Sequence, residues 1–249
     1  MPRQKSVLKL QGTLDGLTYY QSEGKHLVRR KSSLDRNRVL TDPKFGRTRE
    51  NFQEFQHVST SGKMIRQALQ QSFSTVASPR IHLLMNSLLS RIIKLDTVNE
   101  RGQRTIAEGL ATPEGRALLT KFSLNHQVPF DQIVRVNPTV DPTTGIITIN
   151  GLVPLEMIAA PPGATHVGFQ SEWTRLDLAT GAFDTVVTTA TPVPLDTSLH
   201  NIILQRTAAP QGSGLVLIAF TVRFFQSLND NLYPLNDGSY QTGTIFCIR

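Results

Sequence analysis

The run Leu215-Val216-Leu217-Ile218-Ala219-Phe220 is apolar at six consecutive positions. Successive strand side chains point to opposite faces, so such a run needs cover on both sides. It reads as a central strand, or as one with both faces covered. The chain around it, from about Val128 onward, is rich in Thr and Val and lacks helical periodicity. Candidate strands fall at 133–137, 146–149, 166–178, 183–189, 202–206, 215–225 and 244–248. Turn clusters separate them, at Asp141-Pro142-Thr143-Thr144-Gly145, Pro161-Pro162-Gly163, Ala179-Thr180-Gly181, Pro210-Gln211-Gly212-Ser213-Gly214 and Asn236-Asp237-Gly238. Seven short strands with this punctuation predict an antiparallel β-sandwich.

The preceding segment reads as helices, which would cover the second face of the sheet. One begins near Thr48, with Phe52 and Phe55 on one face, a break or kink at Gly62, and an apolar stripe to Phe73. A second starts with Ser78 as N-cap and Pro79 at the first position, and shows Ile81, Leu84, Met85, Leu88, Ile92 and Leu95 on its apolar face. A third has Thr112 as cap, followed by Pro113 and Glu114. Residues 100–111 are ambiguous.

Before the helices, residues 1–11 read as an extended tail. Residues 17–20 and 26–30 form two short strands with Glu23-Gly24 as the turn. A lone hairpin is marginal in water and must dock on something. Residues 31–47 lack periodicity, which is unusual inside a compact domain. The expected fold is therefore α+β. It comprises an extended N-terminal hairpin and basic arm (1–47), a small α-helical region (48–126) and a C-terminal antiparallel β-sandwich (127–249).

Charge divides sharply along this chain. Residues 1–126 hold 21 Lys/Arg against 10 Asp/Glu, a balance of +11, whereas residues 127–249 hold 5 against 9, a balance of −4. Such asymmetry points to an acidic partner. That partner is nucleic acid, an anionic surface, or the acidic half of a second copy. Arg29, Arg30, Arg36, Arg38, Arg47 and Arg49 are the candidate contact residues, because the planar guanidinium fork matches carboxylates. Tyr19 and Tyr20 are candidate packing anchors. Phosphate neutralisation with tyrosine stacking would equally serve nucleic acid, but Asp35, Asp42 and Glu50 interrupt the basic run.

Chemistry-bearing patterns are scarce. The single cysteine, Cys247, excludes an intrachain disulfide and a cysteine-based zinc site, and reads as a small buried hydrophobe. The six histidines form no His-Glu-x-x-His, and no Gly-x-Ser-x-Gly elbow occurs. Gly24-Lys25 lacks the upstream glycine and the following Ser/Thr of a phosphate loop. Glu172 and Asp177 lie five residues apart and point to opposite strand faces, while Arg175 and Asp177 share a face as a surface pair. Trp173, the only tryptophan, is the one hook for a carbohydrate-binding module, and a lone strand tryptophan is ordinarily core. No residue is singled out as catalytic, cofactor-binding or metal-binding. The N-terminal stretch Met1 to Gly12 has no apolar run of signal-peptide length, and no window approaches the ~18 apolar residues of a membrane span. A cytoplasmic chain, or one released within an assembly, is expected.

Two stretches carry a resemblance: Gly24-Lys25-His26-Leu27-Val28-Arg29, and Thr41 through Phe55 with its Arg47-Thr48-Arg49-Glu50-Asn51-x-x-Glu54-Phe55 core. The chain resembles a family of uncharacterised bacterial proteins with a Gly-rich hairpin, this basic segment, and helices ahead of a β-rich half. Leu232 through Gly238 resembles their closing segment. The resemblance implies an architecture and no activity; similar tails occur in phage-like particles and other assemblies. The expectation is a non-enzymatic structural subunit that self-assembles into a filament, tube or shell. Its basic arm would contact the acidic β-domain of a neighbouring copy. Nucleic-acid association within a phage-like particle is the alternative, and a carbohydrate-binding module the second.

Overall fold

A computed structural model of the chain describes residues 3–4, 9–22, 24–31, 34–76, 78–120, 122–206, 208–235 and 240–247, with only the backbone of Cys247. It is mixed α+β, and forms two compact units, Met1–Asn51 and Phe52–Arg249.

The first unit is built on an antiparallel sheet of β1 (Gly12–Leu14), β2 (Leu17–Ser22) and β3 (Lys25–Arg30), in that order. The expected hairpin thus gains a third strand. Asp15 and Gly16 make the extra turn with φ of 47° and 73°, the left-handed pair that matches strand twist and that Asp-Gly adopts readily. In the expected second turn, Gly24 has φ 72°, and Glu23 lies outside the described residues. The expected N-terminal tail also pairs in part: Arg3 bridges Leu27, and Gln4 N donates to His26 O at 3.0 Å.

Residues 31–47 are not structureless. They hold α1 (Arg36–Thr41), a 3₁₀ turn at Pro43–Phe45 and the first turn of α2 (Gly46–Ala68). No α1 residue is buried, so no hydrophobic stripe betrays it. Capping holds the segment instead. Asp42 accepts Lys44 N at 3.0 Å, and Arg49 donates to Val39 O at 2.9 Å and to Asp42 O at 3.0 Å.

In the second unit α2 runs through Gly62 without a break. Gly62 is buried and faces Asn86 and Leu89, so its role is close packing, not a kink. After α3 (Gln70–Val76) comes α4 (Ile81–Ile92), which starts later than expected. Arg80 takes φ 64° at its N-cap, and Ser78 Oγ pairs with His126 Nδ1. A 3₁₀ turn (Ile93–Leu95) follows. The ambiguous segment resolves as a loop and α5 (Ile106–Ala111), capped by Thr105 Oγ1 accepting Glu108 N. Thr112 caps α6 (Pro113–Leu119) as expected, accepting Gly115 N at 3.0 Å.

The β-rich part runs β4 (Phe122–Ser123), α7 (Phe130–Ile133), β5 (Thr139–Val140), β6 (Ile147–Leu152), α8 (Pro154–Met157), β7 (His166–Leu176), β8 (Phe183–Thr189), β9 (Val193–Pro194), β10 (His200–Leu204), β11 (Leu215–Leu228), β12 (Asn231–Pro234) and β13 (Thr242–Cys247). The strand expected at 133–137 does not form: Ile133 ends the helical turn α7, and Val134 makes a single bridge to Ile158. Val134 N closes back on Phe130 O, and sheet pairing resumes only after Pro138, at β5. The turn expected at 236–238, residue 248 and the Cys247 side chain lie outside the described residues.

Strands β4-β13-β11-β7-β8 form the main path of one antiparallel sheet, with β12 and β9 added at its ends, and β10-β6-β5 form another. Neither closes on itself. The apolar run in β11 explains the layering. Leu215, Leu217 and Ala219 join Ile65, Leu69, Met85, Leu89 and Ile106 of the helices in one core cluster. Val216, Ile218, Phe220, Val222 and Phe224 join Phe169, Trp173, and Ile147, Ile149 and Leu204 of the smaller sheet in a second cluster. Both faces of the strand are thus covered, by helices on one side and by strands on the other.

Candidate self-association surface

Residues 1–51 carry 12 Lys/Arg and 5 Asp/Glu, a balance of +7 that equals the net charge of the whole chain; Phe52–Arg249 carries 14 of each. Alternation and register sort the small sheet into two faces. Leu14, Leu17, Tyr19, Val28 and Arg30 share one; Thr18, Tyr20, Leu27 and Arg29 share the other. Leu14 and Leu17 of this sheet are exposed, Leu14 at 61%.

The eight expected contact residues divide by what they already do. Arg29 lies over the Tyr20 ring at 5.6 Å, joining a guanidinium to an aromatic face. Tyr19 is half-buried opposite Val28. Arg38 pairs with Asp42 at 3.5 Å and Arg47 with Glu50 at 3.1 Å, exposed pairs worth under ~1 kcal/mol each. Arg49 is spent on the carbonyls of Val39 and Asp42. Of the eight, exposed Arg30 and Arg36 face solvent without such a local duty, and exposed Arg29 keeps only its stack on Tyr20. The acidic interruptions Asp42 and Glu50 are local partners of the basic run.

Three carboxylates of the β-rich part, Asp141, Asp177 and Asp196, are committed to turns. The Thr144 hydroxyl, with Thr143 N and Thr144 N, holds Asp141 below the usual carboxylate range. Ala179 N and the Thr180 hydroxyl do the same for Asp177, so the expected Arg175–Asp177 pair is replaced: Arg175 donates to Gly212 O. These groups stay charged at neutral pH. Asp131, Glu156 and Asp230 are exposed.

Other features carry less. Trp173 is 3% exposed, with Arg206 stacked 4.7 Å from its ring, so it offers no sugar platform. Burial lowers Arg206 to about 10, and its guanidinium donates to Gly145 O and to Ser171 Oγ. A polar cleft of about 390 Å³ lies between α2 and residues 102–105, lined by Gln53, His57 and Arg104. His57 Nε2 accepts Ile106 N at 3.1 Å, which places its proton on Nδ1, and burial lowers its pKa. An apolar pocket of about 310 Å³ is lined by Leu110, Leu176, Leu178 and Leu215. Ser78 Oγ and His126 Nδ1 form a hydrogen-bonded pair, but the same Oγ accepts His126 N, so it acts as a staple between two segments. Among the described residues no group of three His, Cys, Asp or Glu could hold a metal ion. Among the described residues no helix is long and apolar enough to cross a membrane.

One surface escaped the sequence reading. Phe52 and Phe55 share a face of α2, as expected, but that face is in solvent: each is 60% exposed. The i, i+3 spacing identifies the face without telling whether the fold covers it. Comparison of the chain with protein-family models, curated proteins and solved structures finds no match.

Proposed function

We propose that this protein is a non-enzymatic structural subunit that self-assembles into a filament, tube or shell. Its basic N-terminal unit contacts the acidic β-rich part of a neighbouring copy, the two sheets of which we read as a β-sandwich. The observation that carries the reading is the placement of the chain's entire net charge in Met1–Asn51, the unit whose three-stranded sheet leaves Leu14 and Leu17 exposed. The −4 balance of residues 127–249 supplies the opposite sign. Contacts between unlike patches repeat head to tail, and build open polymers when the rotation does not close. The resemblance over residues 12–70 is consistent with an assembling protein.

The test is negative-stain microscopy and sedimentation at low and high salt, on the full chain and on Arg29→Glu/Arg30→Glu/Arg36→Glu. Wild type should assemble at low salt and loosen at high salt, and the charge-reversed chain should not assemble. A wild-type chain that is monomeric at low salt and high concentration disproves the reading.

Nucleic-acid association within a particle is the second reading, favoured by the stacked Tyr20–Arg29 pair. It requires DNA or RNA binding in a filter assay, with affinity falling steeply in salt; salt-insensitive weak binding removes it.

A further inference from the structure

Sheet edges need protection, because a row of unpaired N–H and C=O groups templates another strand. Among the described residues this chain protects nearly all of its edges. β4 and β5 have two residues each, and β1 has three. Arg3 and Gln4 cover β3. β10 is bulged between His200 and Ile202. β9 and β12 end in Pro194 and Pro234. The longest edge strand is β8, Phe-Asp-Thr-Val-Val-Thr-Thr, seven residues with no Lys, Gly or Pro. It pairs with β7 in unbroken register from Leu176↔Phe183 to Gln170↔Thr189.

The ladder also shows which groups face outward. Asp177 N donates to Ala182 O and Ala190 N to Phe169 O, bracketing the pair. Antiparallel residues alternate between bonded and non-bonded pairs, so Asp184, Val186 and Thr188 bond β7. Phe183, Thr185, Val187 and Thr189 direct their backbone groups outward. Phe183 and Val187 are also exposed as side chains.

We infer that β8 is a homotypic docking edge, pairing antiparallel with β8 of a second copy about a two-fold axis at Val186. The outward groups set the register. Phe183 bonds Thr189 of the second copy, and Thr185 bonds Val187, each pair occurring twice by symmetry. Val186 faces its own counterpart as a non-bonded pair. This is the register that pairs all seven residues. It also handles the one charge of the strand. Asp184 faces Thr188, and the two Asp184 carboxylates lie four residues apart, roughly 13 Å along the strands; centring the axis on Asp184 would oppose like charges directly. The chain is thereby its own complement at this edge, and one sheet continues through two copies. Residues 1–51 take no part, so this contact is separate from the basic-unit contact proposed above.

The experiment uses the full chain with single cysteines introduced by Val186→Cys, Asp184→Cys or Thr188→Cys, mild oxidation and peptide mapping. Val186→Cys should give a dimer linked through position 186. Asp184→Cys alone should not link to itself, but mixed with Thr188→Cys it should give the mixed dimer, which keeps the test intact if the Val186 variant folds poorly. Val187→Pro removes an outward donor without touching the β7 ladder. At high salt, where charge contacts are screened, wild type should sediment as a dimer and Val187→Pro as a monomer with unchanged circular dichroism. A monomeric wild type, links running only to Cys247, or equal linking of Asp184→Cys to itself overturns the inference. Docking of β1 from another copy, or of a foreign strand, would leave position 186 unlinked to itself and overturns it equally. Charge reversal in the basic unit should leave the position-186 link in place, so failure of one contact is told apart from failure of the other.

Discussion

The carboxylate of Glu172, on β7, accepts the backbone N–H of Ser72 at 2.7 Å and of Gln71 at 3.2 Å. A buried acid of the central sheet thus caps the first turn of α3, a hundred residues earlier in sequence. Helix N-termini present unpaired N–H groups and favour negative charge; here the sheet supplies the cap that α3 lacks locally. Glu172→Ala should leave two donors unpaired beneath the sheet and cost about 2–3 kcal/mol. Glu172→Gln keeps an acceptor and should cost less. Urea denaturation of the three proteins decides it; equal stability of wild type and Glu172→Ala would refute the role.

Gly109, on α5, lies directly against the backbone of Ile92 at the end of α4. A Cβ there would sit 2.4 Å from Ile92 O, a backbone atom that cannot swing aside. Gly109→Ala would gain up to about 1 kcal/mol in helix propensity, yet the clash must shift α5 from α4. Net destabilisation of about 1–3 kcal/mol is expected, seen as a drop in Tm of several degrees.

Two groups beside the loop 96–105 set the acid response. Burial lowers His57 below its ordinary 6.5, so the unfolded chain takes the proton first. Its contribution is present above about 6.5 and declines as pH falls below that. Burial pushes Asp96 up, but hydrogen bonds from the Asn99 side chain and the backbone of Asn99, Thr105 and Val98 outweigh it and hold the carboxyl at about 2. With an ordinary value of 3.8, its contribution is lost as pH falls from there through about 2. Unfolding free energy should therefore drop in two stages on acidification. His57→Gln, whose amide oxygen can still accept Ile106 N, should flatten the first stage and leave the second.

Within the basic unit, Arg49 and Arg36 should behave oppositely. Arg49→Ala removes the donor to Val39 O and Asp42 O, and amide exchange over α1 should speed up by tenfold or more, on the order of 1.4 kcal/mol. Arg36→Ala should leave exchange unchanged and weaken only association.

Much of the architecture is legible in the residues themselves. The apolar run of β11 demands cover on both faces and receives it. Period-two alternation with Gly- and Pro-rich turns places β7, β8, β10 and β13, and Thr112-Pro113-Glu114 marks α6. Local rules suffice there because the signal lies in neighbouring residues. They fail where the partner is distant. α1 buries nothing and depends on Arg49; α4 starts late because His126 takes the Ser78 hydroxyl; residues 133–137 leave the sheet because Val134 closes a turn on Phe130. For the candidate surface, sequence names the basic residues and their charge balance. Only the tertiary structure decides that Arg38, Arg47 and Arg49 are committed locally while Arg29, Arg30 and Arg36 face solvent, and that Phe52 and Phe55 are left uncovered. Charge is a property of composition, whereas availability depends on which groups the fold brings within bonding distance.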